Sequence, residues 1–278
     1  MAVQHVLWIG GPPGSGKTSV ATRLARRHGL RLFSADTRTW IHRDRALAAG
    51  SAAARRFEDL SPVDRWAQPT EDLVAMSLHV ERTQMVVDDV RALPTAPLIV
   101  AEGTPVRPSL LATEDVARTQ AVWLLPTEDF QEQQLAARAT PDGHARLYRR
   151  LGALIADEAA EHDAPVEVVD GSRPLEAMIE IVEARFADIL AAGPLAESVP
   201  VRRRLLAEAN RAIADQVGGF HARSWAEGDA DSVIRQFVCE CGDPACDAVV
   251  TVTVGEALAG PVLAHRRDTP DRRPRRRG

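Results

Sequence analysis

Residues 5–19 read HVLWIGGPPGSGKTS, a short apolar run that leads into a glycine-rich turn. Within it, four positions fit the phosphate-binding loop pattern G-x-x-x-x-G-K-[ST]. Glycines let the backbone curl so that N–H groups point at phosphate oxygens, the lysine contacts the β- and γ-phosphates, and the threonine hydroxyl ligates Mg²⁺. The stretch therefore predicts a site for ATP and Mg²⁺, with Thr18 as the metal ligand. The predicted nucleotide-binding residues are Gly11, Pro12, Pro13, Gly14, Ser15, Gly16, Lys17, Thr18 and Ser19.

Lys17 is the only lysine in the chain, although lysine and arginine together number 34. The sequence uses arginine at every other basic position. Lysine therefore stands at the one place where the phosphate-loop pattern requires it, and we predict a catalytic role for it.

Composition places the chain among ordinary soluble globular proteins. It has 278 residues, of which 45% are hydrophobic and 26% are charged. No apolar run approaches the roughly 20 residues that cross a membrane, and we expect a cytoplasmic protein. The net charge of −5 does not favour nucleic-acid binding by the whole chain. The exception is the basic tail at 266–278, which we predict to be a disordered, solubilising segment or a contact for nucleic acid or an acidic surface.

The order of predicted elements indicates an α/β fold. Short apolar runs predict five strands, and a helix follows the phosphate loop directly. A strand, a phosphate loop, a helix and a second strand open a parallel sheet. We predict a nucleotide-binding domain over 1–192, with strands at 3–10, 30–34, 97–102, 120–125 and 166–169, and helices at 16–28, 127–139 and 174–191.

Two acids end predicted strands, where ligands of parallel sheets bind. Asp36 follows the second strand and could accept a proton from a substrate hydroxyl or hold Mg²⁺ through water, or it could simply cap the next helix. Glu102 ends the third strand and is our Walker B candidate, which would hold the Mg²⁺ shell or a substrate hydroxyl; the alternative is a hydrogen bond within its own loop. Both are predicted catalytic residues.

Residues 39–93 read as helices without a strand, and we assign them to substrate binding. Asp88 and Asp89 follow an apolar run there, but their helical register predicts solvent-facing side chains. The sequence leaves open whether four polar and aromatic residues of this region line a pocket or only pack: Arg65, Trp66, His79 and Arg82.

Residues 127–152 carry several arginines on a helix–loop–helix pattern. Such a segment suits a lid that closes over a triphosphate, stabilises the transferring phosphoryl group and excludes water. We predict Arg138 and Arg146 as catalytic arginines of the lid, with Arg149 and Arg150 beside them. The alternative is a solvated, arginine-rich pair of helices. Arg107, in a proline-rich loop, is a further candidate for a substrate contact.

Over about residues 3–191 the chain resembles the P-loop NTPases of the nucleoside and nucleotide kinase group, including the shikimate kinase and chloramphenicol phosphotransferase types. The resemblance rests on Gly11–Thr18, on the position of Asp36 and on the arginines from Arg138 to Arg150. It implies a five-stranded parallel sheet flanked by helices and transfer of the ATP γ-phosphate to a small molecule. The helical stretch 39–93 departs from the nucleotide kinases, which argues against a nucleotide as acceptor.

The segment 199–265 is predicted as a small α+β unit. A helix at 200–217 would stop at Gly218-Gly219, and a C-x-C-x₄-C pattern follows at Cys239, Cys241 and Cys246. This pattern resembles a small uncharacterised bacterial module, and three clustered cysteines favour Zn²⁺ over disulfides. His265 is the predicted fourth ligand, with His221 in reserve; the alternative is three reduced structural cysteines.

Two functions remain open from the sequence. The first is an ATP-dependent phosphotransferase whose partners are a nucleoside triphosphate and a small-molecule acceptor. The second is a regulatory ATPase that switches conformation and binds a partner through the zinc module. The first is favoured because the sequence lacks an N-K-x-D guanine motif and a clear Walker B Asp-Glu pair of the kind found in motor ATPases.

Overall fold

The computed structural model describes residues 3–114, 116–260 and 263–264. Within them, a five-stranded parallel sheet forms the centre of the molecule, with the strand order β2-β3-β1-β4-β5. All five predicted strands are confirmed. They are β1 (Val6–Gly10), β2 (Arg31–Ser34), β3 (Ile99–Gly103), β4 (Ala121–Pro126) and β5 (Val166–Val169).

Helices cover both faces of this sheet, because its central strands are apolar on both sides. Val20 and Leu24 of the first helix pack on one face with Phe186, and Val86 and Ile155 pack on the other. The helices of this part are α1 (Lys17–His28), α2 (Thr39–Ala48), α3 (Ala52–Asp59), α4 (Pro62–Trp66), α5 (Thr70–Ser77), α6 (Glu81–Arg91), α7 (Leu110–Thr113), α8 (Glu128–Ala137), α9 (Asp142–Glu161) and α10 (Leu175–Ala192).

The register of the sheet brings the predicted acids together. Gly10 of β1 lies beside Gly103 of β3, and Ser34 of β2 lies beside Glu102. The loops after β1, β2 and β3 therefore leave the sheet at the same edge. In α/β proteins this edge, at the carboxyl ends of the strands, is where ligands bind.

The C-terminal part consists of a long helix and an antiparallel hairpin. The prediction that Gly218-Gly219 ends the helix is wrong, because the helix runs on to His221. Both glycines keep helical backbone, and Gly219 lies against Trp40, where a glycine allows close approach. The elements are α11 (Val199–His221), β6 (Ile234–Val238), β7 (Val249–Thr253) and α12 (Val254–Ala259).

Among the described residues, no helix combines the length and apolar character that a membrane crossing requires. The predicted disordered tail at 266–278 lies outside the residues that the structure describes.

Candidate active site

The loop between β1 and α1 is built by three glycines in the left-handed region of backbone conformation. Gly11, Gly14 and Gly16 have φ angles of 141°, 91° and 85°. A Cβ at Gly11 would lie 2.4 Å from the carbonyl oxygen of Leu124 on the neighbouring strand. Side chains are strained at such φ values, so the loop requires glycine at these positions.

Lys17 opens helix α1 and is only 5% exposed. Its Nζ lies 3.4 Å from Oδ2 of Asp36, which sits in a short 3₁₀ turn after β2. The side chain of Asp36 is 43% exposed and lines a cavity. Burial alone would raise the pKa of Asp36, but the charges of Lys17 and Arg82 outweigh burial and lower it. Asp36 is therefore ionised at neutral pH.

Glu102 lies at the end of β3 and is completely buried. Its carboxylate accepts hydrogen bonds from the hydroxyl of Thr18, at 3.1 Å, and from that of Ser34. Burial raises the pKa of Glu102; the nearby charge of Asp36 adds to this, and Lys17 opposes it. The two predicted acids thus share one site, and their pKa values are shifted in opposite directions.

Arg82 on α6 fixes the turn that carries Asp36. Its guanidinium donates to the carbonyl oxygen of Ala35 at 2.6 Å and to Nδ1 of His42 at 3.3 Å. His42 in turn contacts Asp89 through Nε2 at 3.0 Å. The prediction that Asp89 faces solvent is wrong, because its side chain is only 14% exposed and also accepts hydrogen bonds from Arg38 and Arg45.

A cavity of about 390 Å³ opens directly in front of Asp36. Its volume is in the range of small-molecule sites, and its walls are largely aromatic and apolar. All four residues that the sequence left open line it. The lining residues are Pro13, Asp36, Thr39, Trp40, Arg43, Phe57, Arg65, Trp66, Leu73, Met76, Ser77, His79, Arg82, Thr104, Pro105, His144, Leu147, Tyr148 and Leu151.

Two buried side chains of this cavity keep nitrogen atoms without a hydrogen-bond partner among the described residues. They are Nε and Nη1 of Arg43 and Nε2 of His79, in side chains that are 3% and 5% exposed. Burial lowers the pKa of Arg43 to about 9 and that of His79 to about 3. Unpaired buried polar groups are costly, so these side chains add polar character to an otherwise largely apolar wall.

The arginines predicted to form a lid bind protein groups. Arg146 donates to the carbonyl oxygen of Trp66 at 2.9 Å, which ties α9 to α4. Arg149 and Arg150 form ion pairs with Glu132 and Glu71 on the surface. Arg138 forms the C-cap of α8, and Arg107 pairs with Glu158 at 2.8 Å. None of these five arginines lines the cavity at Asp36. The catalytic role of Arg138 and Arg146 and the substrate contact of Arg107 stay predictions.

A second cavity, of about 470 Å³, lies on the other side of Asp36. Thr18 and Asp36 form its inner wall, and α11 with the hairpin forms its outer wall through Gln216, His221 and Arg235. The C-terminal segment therefore reaches the predicted metal side of the site. Sequence reasoning missed this, because residues about 200 positions apart carry no local signal of contact.

The three cysteines converge in the loop that connects β6 and β7. Their sulfur atoms all lie within 4.8 Å of one another, so that they could hold a metal ion. Gly242, with φ of 77°, makes the turn between them. His265 lies outside the described residues. His221 is not close to the cysteines. Gly242, in the cysteine loop, lies against Val199 and Arg203 at the start of α11, whereas His221 is at the other end of that helix. From Arg203 to His221 the helix is about 27 Å long.

The loop, the parallel sheet and the acids at its carboxyl edge define a P-loop nucleotide-binding protein of the kinase-like group. The chain belongs to the AAA domain family, whose profile matches residues 6–150, just over half of its length.

Two similar proteins illustrate the relationship. A tRNA dimethylallyltransferase from Sorangium cellulosum (strain So ce56) is 30% identical over 175 residues, which are 62% of this chain and 52% of that protein. The chain thus spans about half the length of this curated relative. The structure of a shikimate kinase from Acinetobacter baumannii in complex with shikimate matches with 16% identity and a TM-score of 0.39, over 66% of this chain and 93% of that one.

Several cavity residues were not predicted from the sequence, above all Trp40, Arg43, Phe57 and Tyr148. One signal was present: Asp36, Trp40 and Arg43 follow one another at the spacing of a helix face, so they point to one side. The aromatic partner of this face, Trp225, comes from far along the chain and could not be inferred locally.

Proposed function

We propose that the protein is a phosphotransferase that moves the γ-phosphate of ATP to a hydroxyl group of a small molecule. The observation that carries this proposal is the pair Lys17–Asp36, 3.4 Å apart, between the phosphate loop and a ligand-sized cavity. A phosphate-binding cation and an ionised carboxylate at one cavity mouth are what phosphoryl transfer to a hydroxyl requires.

The residues around the loop fit ATP and Mg²⁺. A Cβ placed on Gly16 meets no atom within 4 Å, so the backbone there faces open space, and the buried hydroxyl of Ser15 has no partner among the described residues. Thr18 and Glu102 present the oxygen ligands that Mg²⁺ prefers, Glu102 directly or through water. Bound there, Mg²⁺ neutralises phosphate charge during transfer.

Asp36 is the proposed base. The acceptor hydroxyl loses its proton to the Asp36 carboxylate while its oxygen forms a bond to the γ-phosphorus, and the bond from that phosphorus to the bridging oxygen breaks to leave ADP. Because the pKa of Asp36 is lowered, the carboxylate is ready to accept the proton at neutral pH. Lys17 keeps positive charge beside the transferring group.

We also propose Zn²⁺ at Cys239, Cys241 and Cys246, which offer three of the four ligands of a tetrahedral site. His265, outside the described residues, is the proposed fourth ligand. Clustered thiols also favour a reducing compartment, and we place the protein in the cytoplasm.

The experiment is an assay of ADP release against a panel of small hydroxylated compounds, with the variants Lys17→Ala and Asp36→Asn. We expect one or more acceptors to stimulate release. Asp36→Asn should lower kcat about 10²- to 10⁴-fold and leave ATP binding intact, since it removes only the base. Lys17→Ala should weaken both binding and turnover.

Other outcomes point to other functions. Slow hydrolysis that no acceptor stimulates would favour the regulatory ATPase. Transfer of a dimethylallyl group to tRNA, which the name of the relative suggests, is tested with dimethylallyl diphosphate in the same panel. The net charge of −5 argues against an RNA substrate.

A further inference from the structure

Helix α1 carries three arginines near its end, and one of them differs from the other two. Arg23 forms an ion pair with Asp247 at 3.0 Å, and Arg27 forms one with Glu183 at 3.2 Å. Arg26 is only 5% exposed, yet no carboxylate among the described residues lies within 4.0 Å of its guanidinium. The most buried of the three charges is therefore the one without a direct ion pair, although its charge, added to the hydrogen bond and charge of Arg23, helps to lower the pKa of the exposed Asp247.

The contacts of Arg26 lead to the cysteine cluster. One nitrogen donates to the carbonyl oxygen of Cys239, and the other lies 4.0 Å from the sulfur of Cys241. Neutral thiols carry no charge to compensate a buried guanidinium, and a buried charge is stabilised by an opposite charge in contact with it. Three thiolates with one Zn²⁺ carry a single net negative charge, and a neutral histidine as fourth ligand leaves that charge unchanged. A metal centre would thus supply a counter-charge in direct contact with Arg26.

We propose that Arg26 is the charge partner of a zinc–thiolate centre, and that through it the bound metal fastens the C-terminal segment to helix α1. The inference rests on the zinc site proposed above and is independent of the reaction proposed for the phosphate loop. Arg26 acts as a positioning residue, because it contacts the ligands and not the metal. It holds Cys241 through the sulfur and Cys239 through the backbone.

Further hydrogen bonds near Arg26 attach the C-terminal segment to helix α1. Arg202, in the first turn of α11, donates to the carbonyl oxygen of Arg26 at 2.8 Å. Asn210 of the same helix holds the strand before the cysteines through the Val238 backbone, at 2.8 and 2.9 Å. The start of α11 therefore contacts the backbone of Arg26, and the loop of the hairpin contacts its side chain. Loss of the metal would change the charge balance at the point where these elements meet α1.

The test compares zinc affinity of the full-length protein and its variants by competition with the chromophoric chelator 4-(2-pyridylazo)resorcinol. We expect the wild type to bind one zinc ion, and Arg26→Gln to bind it about 10- to 100-fold more weakly, the usual effect of losing a partner of a metal ligand. Arg26→Lys keeps the charge and should restore part of the affinity. Arg27→Gln, one residue away and facing acids, is the matched control and should stay within about twofold of the wild type.

A second measurement on the wild type keeps the inference testable if Arg26→Gln does not fold. Hydrogen exchange is compared before and after removal of zinc by a chelator, with binding of a fluorescent ATP analogue as a check on the phosphate loop. We expect faster exchange in the hairpin, in the first turns of α11 and at the end of α1.

The outcomes separate the proposals from one another. A native protein that neither contains nor takes up zinc overturns both the metal site and the role of Arg26. Zinc binding that Arg26→Gln leaves unchanged, or exchange in α1 that does not respond to zinc removal, overturns the role of Arg26 alone. Neither result depends on whether an acceptor for the phosphoryl group exists.

Discussion

Lys17 and Asp36 show how two residues from different parts of the sequence become one chemical unit. Lys17 begins α1 and Asp36 follows β2, and the parallel register of the sheet brings both to its carboxyl edge. The charge of the lysine lowers the pKa of the acid against the effect of burial. Lys17 is also the only lysine of the chain, so that a lysine-directed reagent can label this site selectively.

Affinity labelling of lysine should therefore report on the active site almost alone. We expect fluorosulfonylbenzoyl adenosine, a nucleotide-shaped reagent, to modify Lys17 as the only lysine side chain of the chain. Tyrosine and cysteine side chains also react with sulfonyl fluorides, and the modified peptide tells such products apart from the Lys17 product. Peptide mass spectrometry locates the label. Saturating ATP with Mg²⁺ should block it; labelling of Lys17 at an unchanged rate in the presence of ATP would place the nucleotide elsewhere.

His79 should make the folded state sensitive to acid. Burial and the charges of Arg107 and Arg82 lower its pKa to about 3, whereas the pKa of histidine in an unfolded chain is about 6.5. Between these values the unfolded chain binds more protons, so stability falls as the pH falls. We expect a loss of roughly 2 kcal/mol in the free energy of unfolding between pH 6 and pH 4 from this residue.

Urea unfolding at several pH values measures this effect, with His79→Gln as the comparison. The variant should show a smaller loss over the same range, because glutamine does not titrate and the remaining acids are unchanged. Parallel pH profiles of the two proteins would mean that His79 is not held neutral in the folded state.

At the scale of the element, α11 shows why a local rule failed. Two adjacent glycines usually end a helix, but here the helix continues, since Gly219 faces Trp40 of α2 across a close contact. A Cβ on Gly219 would lie 2.9 Å from Cβ of Trp40, while a Cβ on Gly218 would meet nothing within 4 Å. The glycine at 219 serves packing between helices, and the glycine at 218 has no such neighbour.

Alanine substitution separates these two roles. Gly219→Ala should destabilise the protein by about 1–3 kcal/mol, because α11 and α2 must move apart. Gly218→Ala should stabilise it by up to about 1 kcal/mol, as alanine favours a helix over glycine. Urea unfolding gives both values, and equal effects of the two substitutions would contradict the packing described for Trp40.

Other elements were predictable because their signals are local. The five strands are short apolar runs, and the phosphate loop is a fixed pattern of glycines before a lysine. The lid at 127–152 was predicted from its positive charge alone, and charge does not indicate which group an arginine binds. Arg146 meets the backbone of Trp66, which no pattern within α9 could indicate.

At the scale of the whole molecule, the sequence predicted the acids at the carboxyl edge of the sheet but not the walls of the cavity next to them. Asp36 and Glu102 were recognised as strand-end acids, and the structure places both beside Lys17. The walls of the cavity come from α2 to α5 and α9, and the residues behind them come from 220–225. Such contacts depend on how helices pack in three dimensions, which periodicity within one helix does not encode.

Residues 220–225 bind the outside of the cavity wall. The indole of Trp225 donates to Glu58 at 2.7 Å and lies 4.2 Å from the guanidinium of Arg65, and Phe220 packs against Trp40 at 5.7 Å between ring centroids. Arg223 donates to the carbonyl oxygen of Trp40 at 3.1 Å. The segment that follows α11 is thus part of the same folded unit as the cavity.

The contacts of residues 220–225 limit where the protein can be truncated. A fragment that ends with α10 would keep the phosphate loop and every strand of the parallel sheet, yet it would uncover the faces of Trp40 and Phe57 that now pack against Phe220 and Trp225. A newly bared aromatic patch next to a deep cleft promotes self-association. Exchange of the C-terminal segment between related proteins would therefore require exchange of Trp40 and Phe57 with it.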